Sequence, residues 1–428
     1  MNQLTFIILS TTDWDAPQFG SRQQIARQLA RRHQVLYVEQ PRALHSLISD
    51  RRKTLVQMRR WLGGGLRCPI AGLPALQVYS PPPVLPVFYH ALSNPLSQRI
   101  LRVAIRRALK RLNWQADIFW TYWANSSYLV GNLGEQAAIY HCIDNFRASR
   151  YPLVSPAQIA ALEEDLCQKV DLVITRTEGL ARMLKPVSRR VEVIGGGVDT
   201  DLFDYSRSFS LPETLKGMPK PIAGLVGSLD DRIDVPLLQH AAQHLPQVTF
   251  VLAGFYRSHL VDLSPLLALP NVRLLPPVPH SDVPAYIAQF DVGLIPYLVN
   301  DFTREVSPLK LYEFLAMGKE VVATPLPYIC REEALVRIAH SPGAFTTAIE
   351  QALSNPHLPE TQMKRREAAY PHSWQRQSET IERLIQEVPA LTPRPPLPSE
   401  MGEGESRSDG GEGESRSDGG EGQDTITE

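Results

Sequence analysis

The chain has 428 residues, 43% of them hydrophobic, and a formal charge of −1, which is length and apolar content enough for two globular domains. From Leu391 onward ten Asp/Glu face three Lys/Arg, so residues 1–390 carry 41 basic and 35 acidic side chains, too small an excess for a nucleic-acid binder in a chain without a recognised nucleic-acid module. Four dispersed cysteines, Cys68, Cys142, Cys167 and Cys330, argue against a disulfide framework and a zinc site, and no apolar run reaches the length of a membrane span, so composition predicts a soluble chain of a reducing cytoplasm.

The opening run LTFIIL lacks a basic flank and a cleavage site and reads as a strand rather than a leader. It leads into PQFGSRQQIARQLARRH, where Ser21 and Gln24 make a capping-box pattern and Gly20 permits close backbone approach at a helix start. The strand-sized runs VLYV, LQVY, DIFW, AAIYH, DLVIT and VEVI follow, and IAGLVG, VTFVLAG, VRLL, DVGLI, EVVAT and VRIA continue in the second half. Amphipathic helical patterns separate most of them. Continuous apolar runs between such helices predict parallel strands buried on both faces, and two series predict an α/β fold with two Rossmann-like doubly wound sheets. Between Asp199 and Pro221 periodicity fades and Pro, Ser and charge accumulate. The expected division is a domain at 1–203, a second at 204–370, a C-terminal helix at 371–390 and a tail at 391–428. The tail opens proline-rich, repeats GEGESRSDG in tandem, and is expected to be disordered.

The segment RILRVAIRRALKRLNW, 99–114, joins six cations to an apolar side without an acid. Such a helix either lies on anionic lipid or packs on a sheet with a solvated basic face. His141 closes the run AAIYH, at the strand end where ligands of such sheets bind, with Asp144 just beyond.

The densest signal is REVSPLKLYEFLAMGKEVVATP, 304–325. Ser307 suits an N-cap, Pro308 the first helical position, and Gly318 the stop after about Met317. The amides of Leu309 and Lys310 then form an anion site. Glu305 precedes it, and Glu313 can accept two hydroxyls of a diol such as ribose. The pattern suits a ligand made of a sugar, a diphosphate and a second sugar. Spacing alone favours a helix with two surface glutamates.

This segment resembles the Glu-x7-Glu motif of retaining glycosyltransferases of the GT-B fold, family 4. VEVIGGGVDTDLF is similar to the family's junction motif, with Gly195-Gly196 in place of Pro-Asn, and PNVRLLPPVPHSDVPAYIAQFDVGLIPY to a further stretch. The likeness runs from Leu4 to about Val388 and is nearest to bacterial members acting on cell-surface or exopolysaccharide sugars. It implies metal-independent, retaining transfer from a UDP- or GDP-linked sugar to a glycan or lipid-linked acceptor, in a cleft between the domains, without a cofactor. It implies a cytoplasmic enzyme that can work at the inner face of the membrane, with the donor on the second domain and the acceptor on the first. Carried over by position, Glu305 contacts donor-sugar hydroxyls, Glu313 the ribose, and the Leu309 and Lys310 amides the diphosphate. Gly227 and Arg232 also face the diphosphate, with Ser228 where the family has an arginine. Gly20-Ser21, in place of Gly-Gly, faces the donor phosphate and acceptor, His141 the donor sugar, and backbone near Val278 the base. The Asp-x-Asp patterns at 13–15 and 199–201 mimic the metal motif of the other glycosyltransferase fold and are read as chance. A non-catalytic partner protein and a nucleotide-sugar epimerase or hydrolase on the same fold remain open. A nicotinamide enzyme is disfavoured, because no strand is followed by Gly-x-Gly-x-x-Gly.

Overall fold

Each of the thirteen apolar runs named above forms a strand, because each can bury both faces under helices. The computed structural model describes residues 3–43, 50–84, 93–148, 154–354 and 358–388, all within one unit, Met1–Arg394. The expected disordered tail lies outside the described residues.

The first sheet holds β1 (Thr5–Leu9), β2 (Gln34–Val38), β3 (Leu66–Arg67), β4 (Leu76–Tyr79), β5 (Ile118–Thr121), β6 (Ala137–Cys142), β7 (Leu172–Thr175) and β8 (Val191–Val193), in the order β3-β4-β2-β1-β5-β6-β7-β8. The second holds β9 (Ile222–Leu229), β10 (Thr249–Tyr256), β11 (Val272–Leu275), β12 (Val292–Ile295), β13 (Glu320–Ala323) and β14 (Arg337–Ile338), in the order β11-β10-β9-β12-β13-β14. Strands β1, β5, β6 and β7 are buried at every position. The one strand that sequence reading missed, β3, is a two-residue antiparallel edge, too short to carry an apolar pattern.

In each sheet the chain reverses its direction of travel beside the first strand. β1 pairs in parallel with β2 and β5, with Ile7 facing both Leu36 and Phe119. β9 likewise lies between β10 and β12. A crevice opens at the carboxyl ends of strands at such a point, which is where a doubly wound sheet takes its ligand.

The helix Trp374–Gln386 follows the second sheet in sequence but packs against the first. Trp374, Ile381 and Ile385 share a core with Phe6, Ile8 and Trp120. Arg32–Glu382 at 2.8 Å and Arg190–Glu387 at 2.7 Å flank that contact.

The basic segment becomes the helix Ser93–Leu112, and its apolar side is not free for lipid. Leu101, Ile105, Ala108 and Leu109 are buried in the first core, while Arg106, Arg107 and Lys110 point outward. Among the described residues, no helix is long and apolar enough to cross a membrane.

Candidate active site

A cavity of about 930 Å³ lies between the carboxyl ends of the two sheets. Its walls include Gly20 and Ser21 after β1, Gly227 at the end of β9, Arg232, and Leu309, Lys310 and Glu313 on the helix Leu309–Ala316. Seven expected donor-binding residues, drawn from three separate stretches of chain, thus meet on one surface. Val278 lines it too, and also borders an adjoining cavity of about 750 Å³ beside Phe19 and His280.

The helix start differs in detail from expectation. Pro308 is the N-cap, and it offers no side-chain cap. Ser307 Oγ instead accepts a hydrogen bond from the Gly196 amide at 2.9 Å, which ties the Gly195-Gly196 junction to the helix. The first-turn amides therefore keep no side-chain partner and stay available to a ligand. At the other helix the cap lies one residue earlier than read, and only half of a capping box forms, because glycine has no side chain to accept the Gln23 amide. Gly20 is the N-cap, and its amide donates to Gln23 Oε1 at 3.2 Å. Gly20 has φ −99°, and a Cβ there would meet only Gln23 Oε1, at 3.9 Å. Glycine is thus not required there by the chain itself, and the position leaves room for close approach from the cavity.

Both cations on the second sheet's side of the cavity are held by carboxylates. Lys310 Nζ pairs with Glu313 at 2.8 Å, and Glu313 is 4% exposed. Arg232 donates to both oxygens of Asp230, at 2.8 and 2.7 Å, and its guanidinium lies 5.5 Å from the Tyr297 ring centroid. Such pairing fixes each cation in place before any ligand arrives. Ser228, where the resemblance expects arginine, accepts from Gln18 Nε2 at 2.6 Å and so bridges the cleft.

The two expected catalytic residues do not line the cavity. Glu305 takes a hydrogen bond from Thr177 Oγ1 at 2.5 Å and packs against Gly179, at the start of the helix Glu178–Leu184. His141 is 2% exposed, stacks on Tyr122 at 5.0 Å, and has no partner for either ring nitrogen among the described residues. Burial lowers its pKa well below the ordinary histidine range, aided by Arg176 and Arg22, so the ring is neutral. Asp144, two residues past the strand, does line the cavity.

Three carboxylates of the Asp-x-Asp patterns are paired with arginines: Asp13 with Arg42 at 2.6 Å, Asp15 with Arg67 at 2.8 Å, and Asp199 with Arg27 at 3.0 Å. Sequence reading missed Arg22 and Arg176, both in the cavity wall. Arg176 directly follows β7, so the strand-end rule applied to His141 would have found it.

Burial also lowers the pKa of His33, His280 and His372, the last to about 4. These rings are neutral when folded but titrate near 6.5 when unfolded. The unfolded chain therefore binds more protons below pH 6.5, and stability present above that value is lost as pH falls. Each such histidine adds a slope of about 1.4 kcal/mol per pH unit within its window. For His372, stacked 3.9 Å from Tyr312, the window runs from about 6.5 to about 4. Denaturant midpoints between pH 7.5 and 5 are expected to fall less steeply in His372→Gln than in the native chain. Equal slopes would remove His372 from this account.

Residues 220–355 match the family model described as Glycosyl transferases group 1. The chain is 28% identical over 252 residues to the Bacillus subtilis protein named as the teichuronic acid biosynthesis glycosyltransferase TuaH, a match that takes in 56% of this chain and 62% of that one. Among solved structures, sucrose-phosphate synthase from Thermosynechococcus elongatus is similar with a TM-score of 0.65 at 16% identity, over 90% of this chain and 99% of that one. Anabaena Alr3699/HepE in complex with UDP gives 0.59 at 14%, over 90% and 100%. At such identities the two structures speak to fold alone. Two parallel sheets meeting at their carboxyl ends give the chain a fold similar to that of GT-B glycosyltransferases, and residues 220–355 on the second sheet carry its match to the group 1 family model.

Proposed function

We propose that the chain transfers a sugar from a nucleotide-diphosphate sugar to a glycan or lipid-linked acceptor, with retention of anomeric configuration and without a metal. One observation carries this reading: helix amides, Lys310, Glu313, Arg232 and Gly227 from the second sheet share a cavity with Gly20 and Ser21 from the first. The Leu309 and Lys310 amides, with Arg232, stabilise the leaving diphosphate as its charge grows. Glu313 accepts the ribose hydroxyls, and the donor phosphate takes the acceptor proton. Glu305 then positions the donor sugar, after exchanging Thr177 for sugar hydroxyls. The name of the Bacillus relative and the UDP in the Anabaena structure support a cell-surface polysaccharide pathway and a uridine donor.

The same reading seats the enzyme at the cytoplasmic face of a membrane. The helix Arg51–Leu62, which buries Thr54 and Gln57, supports this: it exposes Leu55 at 41% and Leu62 at 73% beside Arg51, Arg52 and Lys53. A non-catalytic partner protein is the second reading, favoured by Glu305 turning away from the cavity.

The test is thermal unfolding of the full chain with UDP-, GDP- and ADP-sugars in a chelator, followed by a transfer assay with NMR of the product anomer. A donor at a hundred times its Kd is expected to stabilise by about 2.7 kcal/mol. A shift that appears only with added divalent cation defeats the metal-free mechanism. Binding without transfer or hydrolysis favours the partner protein, and an inverted anomer ends the retaining reading.

A further inference from the structure

Two cations on the first sheet's side of the cavity, Arg22 and Arg176, stand in contrast to the paired Arg27, Arg42 and Arg67 and to the cations of the second sheet. Arg176, at the carboxyl end of β7, is 8% exposed and lines the cavity, yet its guanidinium has no hydrogen bond or ion pair among the described residues. Arg22, in the first turn of the helix after β1, lines the same wall. Its Nε is buried without a partner, and its guanidinium carbon lies 5.5 Å from the Tyr122 ring centroid. His141 stacks behind that ring with both nitrogens unsatisfied. Asp144 is the acid of this corner; its charge favours the Arg176 guanidinium through space, but among the described residues it makes no ion pair with either arginine. Lys310 and Arg232 across the cleft each have a carboxylate of their own.

An arginine does not shed its proton, so burying one without a counter-charge costs free energy that the fold must supply. A chain tolerates that cost where a ligand brings the missing charge. We propose that Arg22 and Arg176 bind an anionic group carried by one of the two sugar substrates, a carboxylate or a phosphate distinct from the donor diphosphate. Planar guanidinium groups match both anions with paired N–H donors. The diphosphate already has its cations on the second sheet, and the arginine pair belongs to the sheet that faces the acceptor and the donor's sugar end. Assigning the anion to a sugar rests on the donor reading above. The anion site itself does not.

Thermal unfolding of the full chain tests this, with inorganic phosphate as the general anion probe and Arg176→Gln and Arg22→Gln as variants. Without ligand, Arg176→Gln is expected to melt at or above the native temperature, since it removes a buried charge whose desolvation and repulsion from Arg22 outweigh the pull of Asp144. A merely structural arginine would melt lower on removal, and that result counts against the site. Phosphate is expected to stabilise the native chain and to bind each variant at least tenfold more weakly, while the shift given by the better of UDP and GDP stays unchanged. Two further arms locate the source. A larger shift from UDP-glucuronate than from UDP-glucose places the anion on the donor sugar. A shift from glucose 6-phosphate added over saturating nucleoside diphosphate places it on the acceptor. The proposal is overturned by equal phosphate binding in native and variant chains, or by a loss of nucleotide binding that parallels the loss of phosphate binding. If both sugar arms are silent, the assignment to a sugar is wrong. If phosphate binds through Arg176 while no nucleotide stabilises the native chain, the donor reading fails and the anion site stands.

Discussion

Glu313→Ala is expected to weaken nucleotide-sugar binding by about two orders of magnitude while leaving the fold intact. Glu313 is 4% exposed on the helix Leu309–Ala316, with its carboxylate at the cavity wall beside Lys310. A hydrogen bond to a charged group contributes about 1.5–3 kcal/mol, so two ribose hydroxyls lost together cost about 3 kcal/mol or more. Each 1.4 kcal/mol is tenfold in Kd, which gives about a hundredfold. The substitution also frees Lys310 Nζ from its partner at 2.8 Å, and in the proposed donor pose that amine lies near the diphosphate, so the loss should fall on the ribose end. Titration calorimetry with the nucleoside diphosphate and with inorganic diphosphate separates the two. The first should weaken strongly and the second hardly at all. Unchanged affinity for the nucleotide would remove Glu313 from the donor site.

The second large effect concerns the floor of the cavity. Gly227 and Gly254 face each other in the β9–β10 register with φ of +140° and +150°. A Cβ on Gly254 would stand 1.7 Å from the Gly227 carbonyl oxygen, and one on Gly227 would stand 3.0 Å from Lys310 Cε. Backbone of that conformation is open almost only to glycine, and the collision is with main chain that cannot swing away. Gly254→Ala is therefore expected to destabilise the second domain by about 3 kcal/mol, or about 6–12 °C for a domain of this size. Gly217→Ala is the control: φ there is +72°, but nothing lies within 4 Å of an added Cβ. It should cost about 1 kcal/mol, from strain alone. If the two variants melt alike, the close approach of β9 and β10 is not what fixes this floor.

The two results probe different kinds of information in the chain. Glu313 could be paired with Lys310 from sequence, because residues three apart on a helix share a face and the helix itself was legible from Pro308, the apolar spacing and Gly318. The strands were legible for a similar reason, since a run such as LTFIIL or AAIYH has no polar face and must be covered on both sides. The cap was less legible. Ser307 looked like an N-cap until the junction glycine, far away in sequence, claimed its hydroxyl.

By itself, then, the sequence determined what depends on short-range periodicity: two parallel sheets and the helix that carries Lys310 and Glu313, beside motifs that resemble those of GT-B glycosyltransferases. Only the tertiary structure decided which side chains share a space, because that depends on strand order and register. It set Glu305 against Thr177 and Gly179, 128 residues distant along the chain for the threonine, rather than in the cavity wall. It buried His141 behind Tyr122 and brought Arg22 and Arg176 to the same wall from the ends of β1 and β7, which stand three places apart in the sheet. No local pattern encodes those meetings, since each joins segments far apart in sequence that come together only when the sheets are wound and faced.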